Sequence, residues 1–124
     1  MNTVIWILQI FLAITFGYSG IMKSTQRRER LVSIGQTGVE HLSYPLIRII
    51  GISEILGAIG IIVPWAVKIL PILTPITAVC FAAIMVLAAP IHYKRKEMKS
   101  VGINVSFFIF SALVAYIRFA GLVH

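Results

Sequence analysis

The residues able to do chemistry in this 124-residue chain are few, and most of them lie inside apolar runs. Glu54 is the most informative. It falls eight residues into the run from about Leu46 to Val63, a depth of about 12 Å at the rise of an α-helix. Gly51 and Gly57 lie to either side at three-residue spacing and Ala58 follows at i+4. Small side chains therefore share its face, and a neighbouring helix can approach closely. An ionisable group in such surroundings is costly. It must take up a proton, or be held by a cation or by hydrogen-bond donors. The functional reading is a proton or ligand site. The structural reading is a protonated Glu54 that hydrogen-bonds across helices.

The other polar groups fall into two seams. Thr15, Tyr18, Ser19 and Lys23 share one face of the first apolar run, with Thr15 near the level of Glu54. Lys23 is expected to snorkel to the headgroups; the alternative is that it turns inward to Glu54. Asn104, Ser111 and Arg118 recur every seven residues in the last run, which keeps them on one seam. Ser111 is expected near Glu54. Arg118 is about 10 Å away in depth, so a direct pair with Glu54 is not expected. Gln9 matches the level of Arg118 better, and snorkelling to the opposite headgroups is the other reading. His92 closes the third run and is expected at the interface, with a proton relay toward Glu54 as the alternative.

His41 lies in a polar loop and His124 is the last residue, and no histidine pair has metal-ligand spacing. No nucleophile triad, phosphate loop or dinucleotide fingerprint is present, so no catalytic residue and no metal, haem or nucleotide motif is assigned. The single Cys80 supports neither an internal disulfide nor a zinc site. Its place in an apolar run reads as a small core residue.

The elements that must position these groups follow from composition. The chain is 59% apolar and 12% charged, with a mean hydropathy of +0.97. A soluble domain carries about twice that charge, and one this small cannot hide so much apolar surface. A soluble enzyme domain and a disordered chain are both excluded. Four apolar stretches, about 4–22, 46–63, 69–91 and 101–123, approach the ~20 residues that span a bilayer. Helices satisfy their own backbone in lipid, so the fold class is all-α: an integral membrane four-helix bundle in one domain, 1–124. The alternating short strands of a membrane barrel are absent. Nor does the first run read as a cleaved signal peptide, since its apolar core is too long.

The net charge is +7, but the basic residues sit beside apolar runs, which points to an anionic lipid surface and not to nucleic acid. Lys23, Arg27, Arg28 and Arg30 follow the first run; Lys94, Arg95, Lys96 and Lys99 follow the third; Lys68 alone lies on the other side. By the positive-inside rule, loops 23–45 and 92–100 are cytoplasmic and both termini lie outside a cell membrane. Arg27 to Ile34 is expected as a short interfacial helix broken by Gly35 and Gly38. Tyr44-Pro45 reads as a helix start. Pro64 is expected to end the second span, Pro71 and Pro75 to kink the third early, and Pro90 to kink or end it. Trp6, Trp65 and Tyr44 fall where aromatic belts belong.

These positions together resemble the DoxX family, in its short DoxX-like branch. The first span ends Phe16-Gly17-Tyr18-Ser19-Gly20-Ile21-Met22-Lys23, similar to the family's F-x-x-x-G-x-x-K. The second, from Arg48 through Gly51, Glu54, Gly57 and Gly60 to Pro64, is similar to R-x-x-G-x-x-E-x-x-G-x-x-G-x-x-x-P and is the most specific element. Leu70-Pro71, His92, Asn104 and Arg118 follow in order. The resemblance implies a four-helix integral membrane protein. The family takes its name from quinone-linked thiosulfate oxidation, although most short members have no assigned activity. The chain has no cysteine pair, haem ligand pair or flavin motif, so redox work would need another subunit or a bound quinone.

Three readings of function follow. The leading one is an accessory or quinone-associated subunit of a membrane redox system, with Glu54, Thr15, Tyr18, Lys23, Asn104 and Ser111 forming an intramembrane polar pocket. Arg118, Gln9 and His92 are secondary candidates. The second is a small proton-coupled exporter using Glu54. The third is a ligand-free membrane scaffold or assembly protein. The expected partners are the lipid bilayer, a small-molecule ligand, and a partner membrane subunit or a second copy of the chain.

Overall fold

An apolar span in lipid must pair its backbone amides within itself, and most of the described residues wind into helix. The computed structural model describes residues 2–34 and 42–123. The expected break at Gly35 and Gly38, and His41, lie outside them, as does His124. The described residues form six helices in order: α1 (Asn2–Thr25), α2 (Arg28–Ser33), α3 (Tyr44–Gly60), α4 (Val63–Val67), α5 (Leu73–Lys94) and α6 (Met98–Val123). No strand occurs among the described residues. Among the described residues four spans are long and apolar enough to cross a membrane: α1, α3 with α4, α5 and α6.

Local sequence explains most of the boundaries. The Ser43 hydroxyl accepts from the Leu46 amide at 3.4 Å and Pro45 occupies the first turn of α3, so Tyr44-Pro45 does mark a start. Pro64 does not end the second span. That helix already stops at Gly60, and Pro64 lies in the first turn of the short α4, where its missing N–H leaves no bond unmade. The same reasoning removes the early kink expected in the third span. α5 starts only at Leu73, so Pro71 precedes it and Pro75 falls in its first turn. Pro90 lies inside α5, which runs on to Lys94, so it does not end that helix. α4 closes on Lys68, whose backbone is left-handed (φ 59°).

The spans pair as α1 with α3 and α5 with α6, and smaller contacts between α1 and α6 and between α3 and α5 join the pairs. The Phe16 and Phe81 rings stack across that junction with centroids 3.9 Å apart and planes within 4°. Gly57 makes room for this pair, since a Cβ there would lie 2.5 Å from the Phe81 ring. Ile5, Leu12, Ile61, Ala78 and Val114 fill the rest of the core. Isoleucines and leucines such as Ile14, Leu56 and Leu87 point outward, as a lipid-facing surface requires. Cys80 joins them: it is exposed on α5 and is not the core residue expected. A helix that is apolar all round carries no pattern separating its lipid face from its core face.

The short α2 is tied back to α3 by Tyr44. Its hydroxyl accepts from the Arg28 amide at 3.0 Å, and the Arg28 and Arg48 guanidinium carbons lie 4.6 and 5.4 Å from its ring centre. Tyr44 therefore acts here as a clamp between arginines.

Candidate intramembrane polar site

The site begins with the close approach of α1 and α3. Gly20 and Gly51 face each other, and a Cβ on Gly20 would lie 2.6 Å from the Gly51 carbonyl oxygen. With the two backbones in contact, the side chains one turn away meet directly. Lys23 Nζ donates to Glu54 Oε1 at 2.7 Å. Glu54 is 2% exposed and the Lys23 side chain 14%.

Lys23 therefore turns inward and does not snorkel to the headgroups. The reason is helix direction: Cα–Cβ bonds tilt toward the helix N-terminus. Lys23 sits near the C-terminal end of α1, so its side chain leans back into the bundle. Glu54 on the antiparallel α3 leans the opposite way, and the two converge. Two full charges out of water need each other, because either alone would be a large desolvation penalty.

Arg48 completes this end of the α1–α3 pair and was not legible as a site residue. Its Nη1 donates to the carbonyls of Lys23 and Gln26, at 2.5 and 2.7 Å, and so caps the last turn of α1. A cation there also answers the negative end of the helix dipole. Its spacing offered one signal, since Arg48, Gly51 and Glu54 share a face at three-residue intervals. Arg48→Ala is expected to lower stability by about 1.5–3 kcal/mol, the range for hydrogen bonds from a charged group, and to loosen the Lys23–Glu54 pair. Thermal unfolding in nanodiscs checks it; an unchanged midpoint would show that the cap is dispensable.

The pair borders a cavity of about 400 Å³. Its polar lining is Thr15, Tyr18, Ser19, Lys23, Glu54, His92 and Asn104; its apolar lining includes Phe16, Ile84, Met85, Ala88 and Phe107. Five of the six residues expected in the polar pocket are thus brought together. Ser111 is not: it is fully buried on α6 but does not line the cavity. One heptad is about 10 Å of helix, too far for Ser111 to share the cavity that Asn104 reaches.

Thr15 is occupied locally, donating to the Phe11 carbonyl at 2.9 Å, and Tyr18 is half-exposed at the cavity edge. Asn104 is 7% exposed, and its Nδ2 is buried without a hydrogen-bond partner. His92 lines the cavity and its Nδ1 lies 2.9 Å from Glu97 Oε1, with Arg95 Nε 3.3 Å from the same oxygen. His92 thus joins the cavity to the charged turn between α5 and α6.

The remaining two candidates lie at the other end of the bundle. Arg118 does not snorkel; it is 4% exposed, and its Nε donates to Gln9 Oε1 at 2.7 Å. Gln9 and Arg118 do meet, as their matched depth suggested, but far from Glu54. Among the described residues no group of three or more His, Cys, Asp or Glu is placed to hold a metal.

Fold and site together define a four-helix integral membrane protein with a buried ion pair and a polar cavity at one end. The model of the DoxX-like family matches residues 7–114, which include Lys23, Glu54, His92 and Asn104. The chain belongs to the DoxX-like family. No curated protein and no solved structure matches it.

Proposed function

We propose that the cavity binds the head group of a lipid-soluble carbonyl compound, a quinone being the best fit, and that the chain serves as an accessory subunit of a membrane redox system. The observation that carries this reading is the Asn104 amide: a buried, unpartnered donor on the wall of a 400 Å³ cavity. A buried donor without an acceptor costs about 1–3 kcal/mol, and a carbonyl oxygen is a neutral group that would satisfy it. The quinone's other carbonyl would accept a hydrogen bond from Lys23, whose ammonium has three donors and spends one on Glu54. Phe16, Met85 and Phe107 offer the apolar walls that such a ring needs. When bound, a quinone supplies the electron-carrying chemistry that the side chains of this chain lack.

The exporter reading has less support, because the carboxylate it relies on is already neutralised by Lys23 within the chain. Basic residues gather at the cavity end, beside Lys23 and between α5 and α6. The positive-inside rule then makes that end cytoplasmic and puts both termini outside a cell membrane.

The test is equilibrium binding of a short-tailed benzoquinone to the full chain in nanodiscs, read by native mass spectrometry. Asn104→Leu keeps the size of the side chain and removes the donor. The wild type is expected to retain the quinone, and the variant to bind it about tenfold more weakly, the worth of one good hydrogen bond. No binding by the wild type, or equal binding by both proteins, overturns the reading.

A further inference from the structure

The opposite end of the bundle carries a separate feature. Among the described residues no carboxylate pairs with Arg118, although it is 4% exposed. An arginine in a protein keeps its charge, and a buried cation without a counter-charge is expensive. The side chains that touch Arg118 are neutral. Gln9 donates from Nε2 to the Ile61 carbonyl at 2.7 Å, which turns its Oε1 toward Arg118 Nε at 2.7 Å. Asn2 Oδ1 accepts from Arg118 Nη1 at 2.7 Å. The Trp65 and Trp6 ring centres lie 4.6 and 5.3 Å from the guanidinium carbon. Nη2 is left buried with no acceptor.

We propose that Arg118 holds an oxyanion, either a small carboxylate or phosphate or the phosphate of a lipid headgroup from the leaflet at that end. Gln9 and Asn2 restrain two of the three guanidinium nitrogens, so the Nη1–Nη2 edge is held in one orientation. That edge still has unspent protons on both nitrogens, the fork that binds two oxygens of one anion. The indole faces hold the cation from the sides without competing for its protons. Trp65 is half-buried on the five-residue α4 and packs over Gly121, where a Cβ would sit 3.3 Å from its ring. Trp65 thus lies between Gly121 of α6 and the guanidinium, 4.6 Å from its carbon. The site stands apart from the cavity at Glu54 and does not depend on the reading given there.

The molecule carries its own reporter, since its only two tryptophans are the two that flank Arg118. The full chain in an uncharged detergent is titrated with sodium acetate, and separately with inorganic phosphate, each replacing chloride at constant ionic strength. Indole emission is read. In parallel, the chain is placed in phosphatidylcholine nanodiscs with and without phosphatidylglycerol. A saturable emission change is expected in one arm, about tenfold weaker or absent in Arg118→Lys, which keeps the charge but loses the fork. A response to the free salts assigns a soluble oxyanion; a response only to phosphatidylglycerol assigns the headgroup. A wild type flat in both arms, or an Arg118→Lys protein that responds like it, overturns the proposal. The wild-type titration decides alone if the variant does not fold.

Discussion

Lys23→Met is expected to destabilise the bundle by about 3–5 kcal/mol, the cost of stranding one member of a buried ion pair. Glu54, 2% exposed and 2.7 Å from the lysine ammonium, would lose its cation. Glu54→Met strands Lys23 instead. That loss should be smaller, because the Lys23 side chain is 14% exposed, lies near the end of α1, and has a stem long enough to reach the interface once released. The double variant Lys23→Met with Glu54→Met removes both charges and leaves two flexible apolar side chains inside the bundle. It should be much closer to wild type than the sum of the single losses, by a coupling of about 2 kcal/mol or more. Unfolding of all four proteins in the same nanodiscs measures this cycle. Additive losses would mean that the two groups do not depend on each other and would remove the ion pair as the organiser of the site.

The second large effect is expected at Gly20. A Cβ there would come within 2.6 Å of the Gly51 carbonyl oxygen and 2.8 Å of the Ile55 amide nitrogen, both backbone atoms that cannot rotate away. α1 and α3 would have to separate. Gly20→Ala should cost about 1–3 kcal/mol, as overpacking does. It should also lengthen the Lys23–Glu54 contact, so quinone binding would fall together with stability. Two nearby substitutions control for the general effect of adding a methyl group. Gly17→Ala meets only the Ala58 methyl at 3.5 Å, an ordinary contact, and Gly102→Ala meets nothing within 4 Å. Gly17→Ala should be within about 0.5 kcal/mol of wild type, and Gly102→Ala should be stabilising by about 0.4–1 kcal/mol through helix propensity. A thermal-shift series orders the three; a Gly20→Ala protein as stable as Gly17→Ala would show that α1 and α3 do not need this close approach.

The four spans and their order, and the presence of an ionisable group, Glu54, inside the second, are legible in residue type and spacing. They follow from quantities counted along one chain: apolar run length against bilayer thickness, and the rarity of a carboxylate in such a run. The meeting of Gln9 with Arg118 was legible for the same reason, since depth along a helix is a linear count.

What lay beyond the sequence depends on facing and direction. Cys80 sits on the lipid side because an apolar helix gives no contrast between its faces. Ser111 shares a seam with Asn104 yet misses the cavity, because the cavity occupies only one end of that seam. Lys23 turns inward, and Arg48 reaches across to cap α1, only because α1 and α3 run antiparallel with their backbones in contact. By itself, then, the sequence determined that an ionisable group lies within an apolar span. Its partner was decided by the tertiary structure, since in lipid a charge is held by whichever opposite charge or donor the packing brings within 3 Å.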